Sequence, residues 1–192
     1  MPSSSYALVV AIGILMMQAS APATAQIVLY DKSRITCVSR QENVPVEAQF
    51  KKFTAQIAFD PAKPEAGKVQ IEIDVNSFDI GFVDFNEEAK SKSWFDARTF
   101  PRARFVSASM RGLGNGRFEA RGPLTIKDKT IGIVAPFTYR EDAGNGVFEG
   151  AFTIKRLQYN IGEGAWKDTD TVADDVQIRF RITISTKPAV KK

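Results

Sequence analysis

Between residues 176 and 184 every second side chain is apolar. Val176, Ile178, Phe180, Ile182 and Ile184 are separated by Gln177, Arg179, Arg181 and Thr183. Only an extended strand sends successive side chains to opposite faces, so this pattern demands a strand with one dry face and one wet face. Ile71, Ile73 and Val75 repeat it around Glu72 and Asp74. Noisier versions cover residues 34–41, 46–59, 103–110, 117–126, 131–139 and 147–154. Turn-forming residues stand between them: Asp60-Pro61, the stretch 112–116 with Asn115-Gly116, Lys127-Asp128-Lys129 and Gly144-Asn145-Gly146. The reading is eight half-buried antiparallel strands joined by short connections.

Two local features interrupt the alternation. Ala48 and Phe50 share one parity while Phe53, Ala55, Ile57 and Phe59 share the other, which predicts a β-bulge between Phe50 and Phe53. Asn86 is placed to cap a short helix over 87–93, with Glu87 and Glu88 in its first turn, Lys90 and Lys92 in its last, and Trp94-Phe95 docking behind it. Eight such strands can form a sandwich or a closed up-and-down barrel, and closure, which removes exposed edges, favours the barrel. The expected fold is therefore all-β, an eight-stranded antiparallel barrel with one short helix near its mouth. Such a barrel either fills with its own side chains or holds one small ligand, and periodicity leaves both open.

Composition narrows the chemistry. The chain of 192 residues has no histidine and one cysteine. The commonest general base and zinc ligand are absent, and neither an intrachain disulfide nor a thiolate cluster can form. A net charge of +4 without a long basic tract gives no reason to expect nucleic acid. Cys37, between Ile35 and Ser39 in a strand-like stretch, is expected as a buried, inert thiol. The apolar run at 6–17, followed by Ala23-Thr24-Ala25, reads as a secretory signal peptide. Residues 1–25 would be removed, leaving 26–192 as a single periplasmic or secreted domain.

A family resemblance runs along nearly the whole mature chain. Ser33-Arg34-Ile35-Thr36, the run from Val46-Glu47-Ala48-Gln49-Phe50 through Lys51-Lys52-Phe53, Ile57-Ala58-Phe59-Asp60-Pro61 and Ile73-Asp74-Val75-Asn76-Ser77-Phe78 come first. Trp94-Phe95-Asp96, Phe100-Pro101, Phe105-Val106-Ser107, Gly122-Pro123-Leu124-Thr125-Ile126-Lys127 and Tyr159-Asn160-Ile161-Gly162-Glu163-Gly164 follow. In order and spacing these blocks resemble the YceI-like polyisoprenoid-binding family. The resemblance implies a lipocalin-like barrel that binds an isoprenoid lipid or quinone in an elongated apolar interior, without catalytic residues, metal or cofactor. It also allows a homodimer. Lys32 and the Ser39-Arg40-Gln41 stretch stand where family members often carry histidines, and Ala48, Ala55 and Ile80 also depart from the usual pattern.

Inward parity supplies candidates for a lipid tunnel: Ile35, Ile57, Phe59, Ile71, Ile73, Phe105, Leu124, Ile126, Ile133, Phe152, Ile178 and Phe180, with Phe78, Phe82, Trp94 and Phe95 near a mouth beside the helix. The same residues could instead pack on one another in a filled core. Arg98, Arg102 and Arg104 open an arginine-rich stretch suited to an anionic head group or to transient contact with an anionic membrane surface; as an alternative, arginines at every second strand position simply face solvent. Two rival functions remain. One is a filled barrel that binds another exported protein through Tyr159 and Trp166. The other is an enzyme using the carboxylates Asp168, Asp170, Asp174 and Asp175.

Overall fold

In the computed structural model, which describes residues 26–186, the alternating segments become strands of one antiparallel sheet. The signal-peptide expectation lies outside the described residues. In chain order the elements are β1 (Ile27–Val28), β2 (Arg34–Gln41), β3 (Val44–Phe50), β4 (Phe53–Ala58), β5 (Lys68–Asp74), β6 (Phe78–Asp79), helix α1 (Val83–Lys90), β7 (Arg102–Val106), β8 (Ser109–Gly114), β9 (Arg117–Ile126), β10 (Lys129–Asp142), β11 (Asn145–Lys155) and β12 (Asp175–Ser185). The strands run β4-β5-β7-β9-β10-β11-β12-β2-β3-β6, with β1 on β12 and β8 on β9. Register aligns the dry faces: Phe152 lies opposite Ile178, which also faces Cys37, and Phe105 opposite both Ile71 and Leu124.

Among the described residues, twelve strand segments replace the expected eight. β1 and β6 are two-residue additions, and the stretches 46–59 and 103–110 each divide. At Phe50 and Phe53 there is no bulge. β3 stays with β2 while β4 pairs with β5, because Lys51 and Lys52 turn a corner held by Ser77: the Lys51 N–H donates to the Ser77 carbonyl at 3.1 Å and the Lys52 N–H to Ser77 Oγ at 2.9 Å. The parity slip marked a change of partner.

That corner joins the two margins of the curled sheet at one end, and the first described residues bridge them at the other. β1 pairs with β12, while Gln26 reaches β4 and its following loop: its N–H donates to the Ile57 carbonyl at 2.8 Å, and its side-chain amide meets the Phe59 backbone at 3.1 and 3.2 Å. Tyr30 Oη accepts from the Ala55 N–H at 3.2 Å.

α1 begins four residues earlier than expected, with Phe82 at the cap position. Asn86 lies inside the helix. Its side chain binds upstream instead, accepting from the Ile80 N–H and donating to Asp79 Oδ1, both at 2.8 Å. Gly122 has a packing role: a Cβ there would come within 2.0 Å of the Val106 carbonyl oxygen, since the β7–β8 connection crosses β9 at that point.

One end of the interior is filled. Phe59 meets Phe118, Tyr139, Phe148 and Phe137 with ring centroids 5.1, 5.2, 5.2 and 5.7 Å away, all edge-on, and Met110, Ile182 and Ile184 complete the plug. Phe59 thus points inward, as parity requires, but it seals the barrel rather than lining a tunnel.

Candidate functional site: a two-chambered apolar hollow

Past the plug, the apolar interior is not completely filled. Two chambers follow, of about 90 and 180 Å³. Ile35, Ile73, Ala103, Phe152 and Ile178 belong to the walls of both, so the chambers adjoin. Ile57, Ile71, Phe105, Ile133 and Phe180 line the smaller one; Phe78, Trp94, Phe95, Leu124 and Ile126 line the larger. Ile71, Ile73, Phe105, Ile133, Phe152, Ile178 and Phe180 are only half-buried, as expected for side chains that face open space. The space exists because inward positions of three adjacent strands carry small residues: Ala103 on β7, Ala120 on β9 and Ala135 on β10. Sequence reasoning sought large inward residues and passed over these small ones.

The larger chamber opens beside α1, where Ser39, Gln41, Ile80, Phe85, Glu88 and Trp166 belong to its wall. Phe85 is 54% exposed while also lining the chamber. Phe82 is 66% exposed and off the wall, touching Phe85 edge-on at 6.0 Å. It belongs to the outer rim, because the helix starts beside it and carries it outward.

The chamber's polar anchor is Arg156, which the sequence reading missed although it continues the inward parity of Phe148, Phe152 and Ile154. It is 1% exposed. Its five N–H donors each meet a backbone carbonyl: Nε that of Ala173 at 3.1 Å, Nη1 those of Ile161 and Gly162 at 2.9 and 3.2 Å, and Nη2 those of Trp166 and Val172, both at 2.7 Å. A guanidinium has five such donors, so this one is fully engaged. Burial lowers its pKa, and the Asp174 charge opposes that shift. Gly162 must lack a side chain here, since its Cβ would lie 2.1 Å from Nη1. Arg156 also lies 5.6 Å from the Trp94 ring centroid, and Trp94 packs on Trp166 at 5.4 Å. The Trp166 Nε1–H donates to Glu88 Oε1 at 3.1 Å, whereas the buried Nε1 of Trp94 has no hydrogen-bond partner among the described residues.

Other candidates lie elsewhere. Arg98 is exposed and off both walls. Arg102 pairs with Glu72 at 2.6 Å, and the Arg104 guanidinium, though its residue borders the smaller chamber, binds Gln70 at 2.9 Å. These two arginines lie on the outer face, sharing the Glu72 carboxylate at 2.6 and 3.9 Å, because they alternate with inward Ala103 and Phe105. Asp168 caps a turn through the Asp170 N–H, Asp174 accepts from the Leu157 N–H, Asp175 pairs with Lys155, and none of the four expected carboxylates lines a chamber. Tyr159, 1% exposed, is packed in the core with Leu124, Ile126 and Ile154, and Trp166 walls the larger chamber; neither projects as a surface anchor. Cys37 faces the larger chamber rather than a packed core, with its thiol pushed up to about 12 by burial and then by the Glu47 charge.

Comparison with known proteins adds the lineage. A family model described as a YceI-like domain matches residues 28–184. A crystal structure of BcnA from Burkholderia cenocepacia is 45% identical, with a TM-score of 0.80 over 81% of this chain and 98% of that one. A UPF0312 protein of Vibrio cholerae serotype O1 is 30% identical over 69% of this chain and 75% of its own. A Saccharophagus degradans structure described as a polyisoprenoid-binding domain implicated in plant cell wall breakdown shares the fold at 16% identity, with a TM-score of 0.67 over 86% of this chain and 99% of that one.

Proposed function

Because this chain belongs to the YceI-like family, we propose that its hollow holds the isoprenoid tail of a lipid, for carriage or storage outside the cytoplasm. The observation that carries this reading is a pair of adjoining chambers with aliphatic and aromatic walls, sealed by the Phe59 plug, with its polar groups concentrated in the larger chamber beside α1. Branched aliphatic walls with few polar atoms complement a branched hydrocarbon. The Saccharophagus neighbour's description supports the same ligand class.

The volumes set a scale. An apolar cavity of about 150 Å³ takes one benzene, so chambers of about 90 and 180 Å³ accommodate on the order of ten carbons, roughly two isoprene units. Burying ten carbons from water is worth about 8 kcal/mol, which corresponds to micromolar affinity. Transfer from a bilayer gains almost nothing, because lipid tails are as apolar as the walls. The protein then exchanges ligand with membranes near equilibrium. A longer tail emerges past Phe85 or spreads the walls. Phe82, Val83 and Phe85, exposed by 66, 75 and 54%, form an apolar rim that favours loading at a lipid surface.

The test is organic extraction and mass spectrometry of protein purified from its native host without detergent. An isoprenoid in stoichiometric amount supports the reading; an empty extract from repeated preparations refutes it. N-terminal sequencing of the same material should begin at Gln26, and retention of the apolar leader would refute export.

A further inference from the structure

Building on the isoprenoid reading, we infer that the larger chamber selects an uncharged head group, an alcohol or a carbonyl, and rejects the corresponding phosphate or diphosphate. Among the described residues only Arg104 and Arg156 bring positive charge to either wall. Arg104 directs its guanidinium to Gln70 on the outer face. Arg156 is inside, but all five of its donors already meet backbone carbonyls. Taking them for a phosphate would orphan buried carbonyls, each left without its hydrogen bond.

The chamber's other charge has the wrong sign for a phosphate. Glu88 is on the wall, held by the Trp166 indole at 3.1 Å and by Ser91 Oγ at 3.4 Å. A multiply charged anion entering there would be desolvated without a free cation and placed near a carboxylate. The groups left for recognition are neutral: the Trp94 indole, whose buried N–H is unpartnered, the Ser39 hydroxyl and the Gln41 amide. Such groups suit a single neutral oxygen. The exposed arginines that sequence alone suggested as head-group contacts do not alter this, since Arg98 lies off both walls and Arg102 and Arg104 are bound to Glu72 and Gln70 outside the barrel.

The experiment compares geraniol with geranyl diphosphate on the delipidated mature chain, by isothermal titration and native mass spectrometry. Identical ten-carbon tails cancel the apolar contribution and match the size of the hollow. The alcohol should bind at least about tenfold more tightly, a difference of about 1.4 kcal/mol. Glu88→Gln should raise diphosphate affinity severalfold. Diphosphate binding as tight as the alcohol, or a diphosphate affinity unmoved by Glu88→Gln, overturns the inference and leaves the tail site standing. Binding of neither probe overturns both.

Discussion

Replacing Ile73 with tryptophan tests whether the hollow is ligand space. Ile73 lies on β5 between Phe53 on β4 and Ala103 on β7, and its side chain belongs to both chamber walls. An indole brings roughly six more heavy atoms than the side chain it replaces. If they occupy ligand space, about six ligand carbons at about 0.8 kcal/mol each are displaced, a loss near 5 kcal/mol or three to four decades in Kd. The larger chamber, about 180 Å³, exceeds the 150 Å³ or so that accepts benzene, so the ring has room. Forcing it into a filled core would instead cost about 1 to 3 kcal/mol of stability. The assay pairs geraniol titration with thermal melting. Lost binding with stability held within about 1 kcal/mol is the expected result; retained affinity, or a melt several degrees lower, would refute the reasoning.

Three further outcomes follow from individual residues. Arg156→Met should destabilise the fold by about 4 kcal/mol, roughly 10 °C in Tm, because five carbonyls lose a charged donor; a drop of under about 3 °C would contradict its role as the hub of the 160–174 segment. With its thiol at about 12, Cys37 should alkylate at pH 8 roughly a thousandfold more slowly than a free cysteine, and more slowly again when ligand fills the chamber; a rate within tenfold of free cysteine would contradict its burial. Glu119, held below its ordinary 4.5 by hydrogen bonds from Arg111 and Arg121, binds fewer protons folded than unfolded. Its stabilisation is complete above about 4.5 and declines as pH falls through the lowered value, so Glu119→Gln should flatten the acid limb of a Tm–pH profile, and an unchanged limb would refute the linkage.

Strand parity reads well from this sequence because a half-buried sheet enforces it residue by residue. The run 176–184 became β12, and Asn115-Gly116 became a tight turn with positive φ at both residues, 53 and 69°. Closure round a shared interior is not contained in parity, which a sandwich also satisfies; the covering of sheet edges is what favours it. Parity also does not contain depth along the barrel. Phe59 and Phe152 both face inward, yet one seals the end and the other borders both chambers, because register places them at different levels. Nor does parity distinguish a missing side chain from a covered one, so Ala103, Ala120 and Ala135 did not announce the space they leave. Arg156 was visible at inward parity, but its role depends on carbonyls of the 160–174 segment, brought round it only by the fold. Asn86 was misjudged for a related reason: its amide serves the upstream loop at Ile80 and Asp79, not the helix end.

A crystal structure of the protein from its native host, purified without detergent, tests the lipid site most directly. Continuous tubular density should run from Ile73 and Ile178, past Trp94, to an opening beside Glu88 and Phe85. Walls collapsed onto one another, with Phe152 packed across the space and no density between, would contradict it.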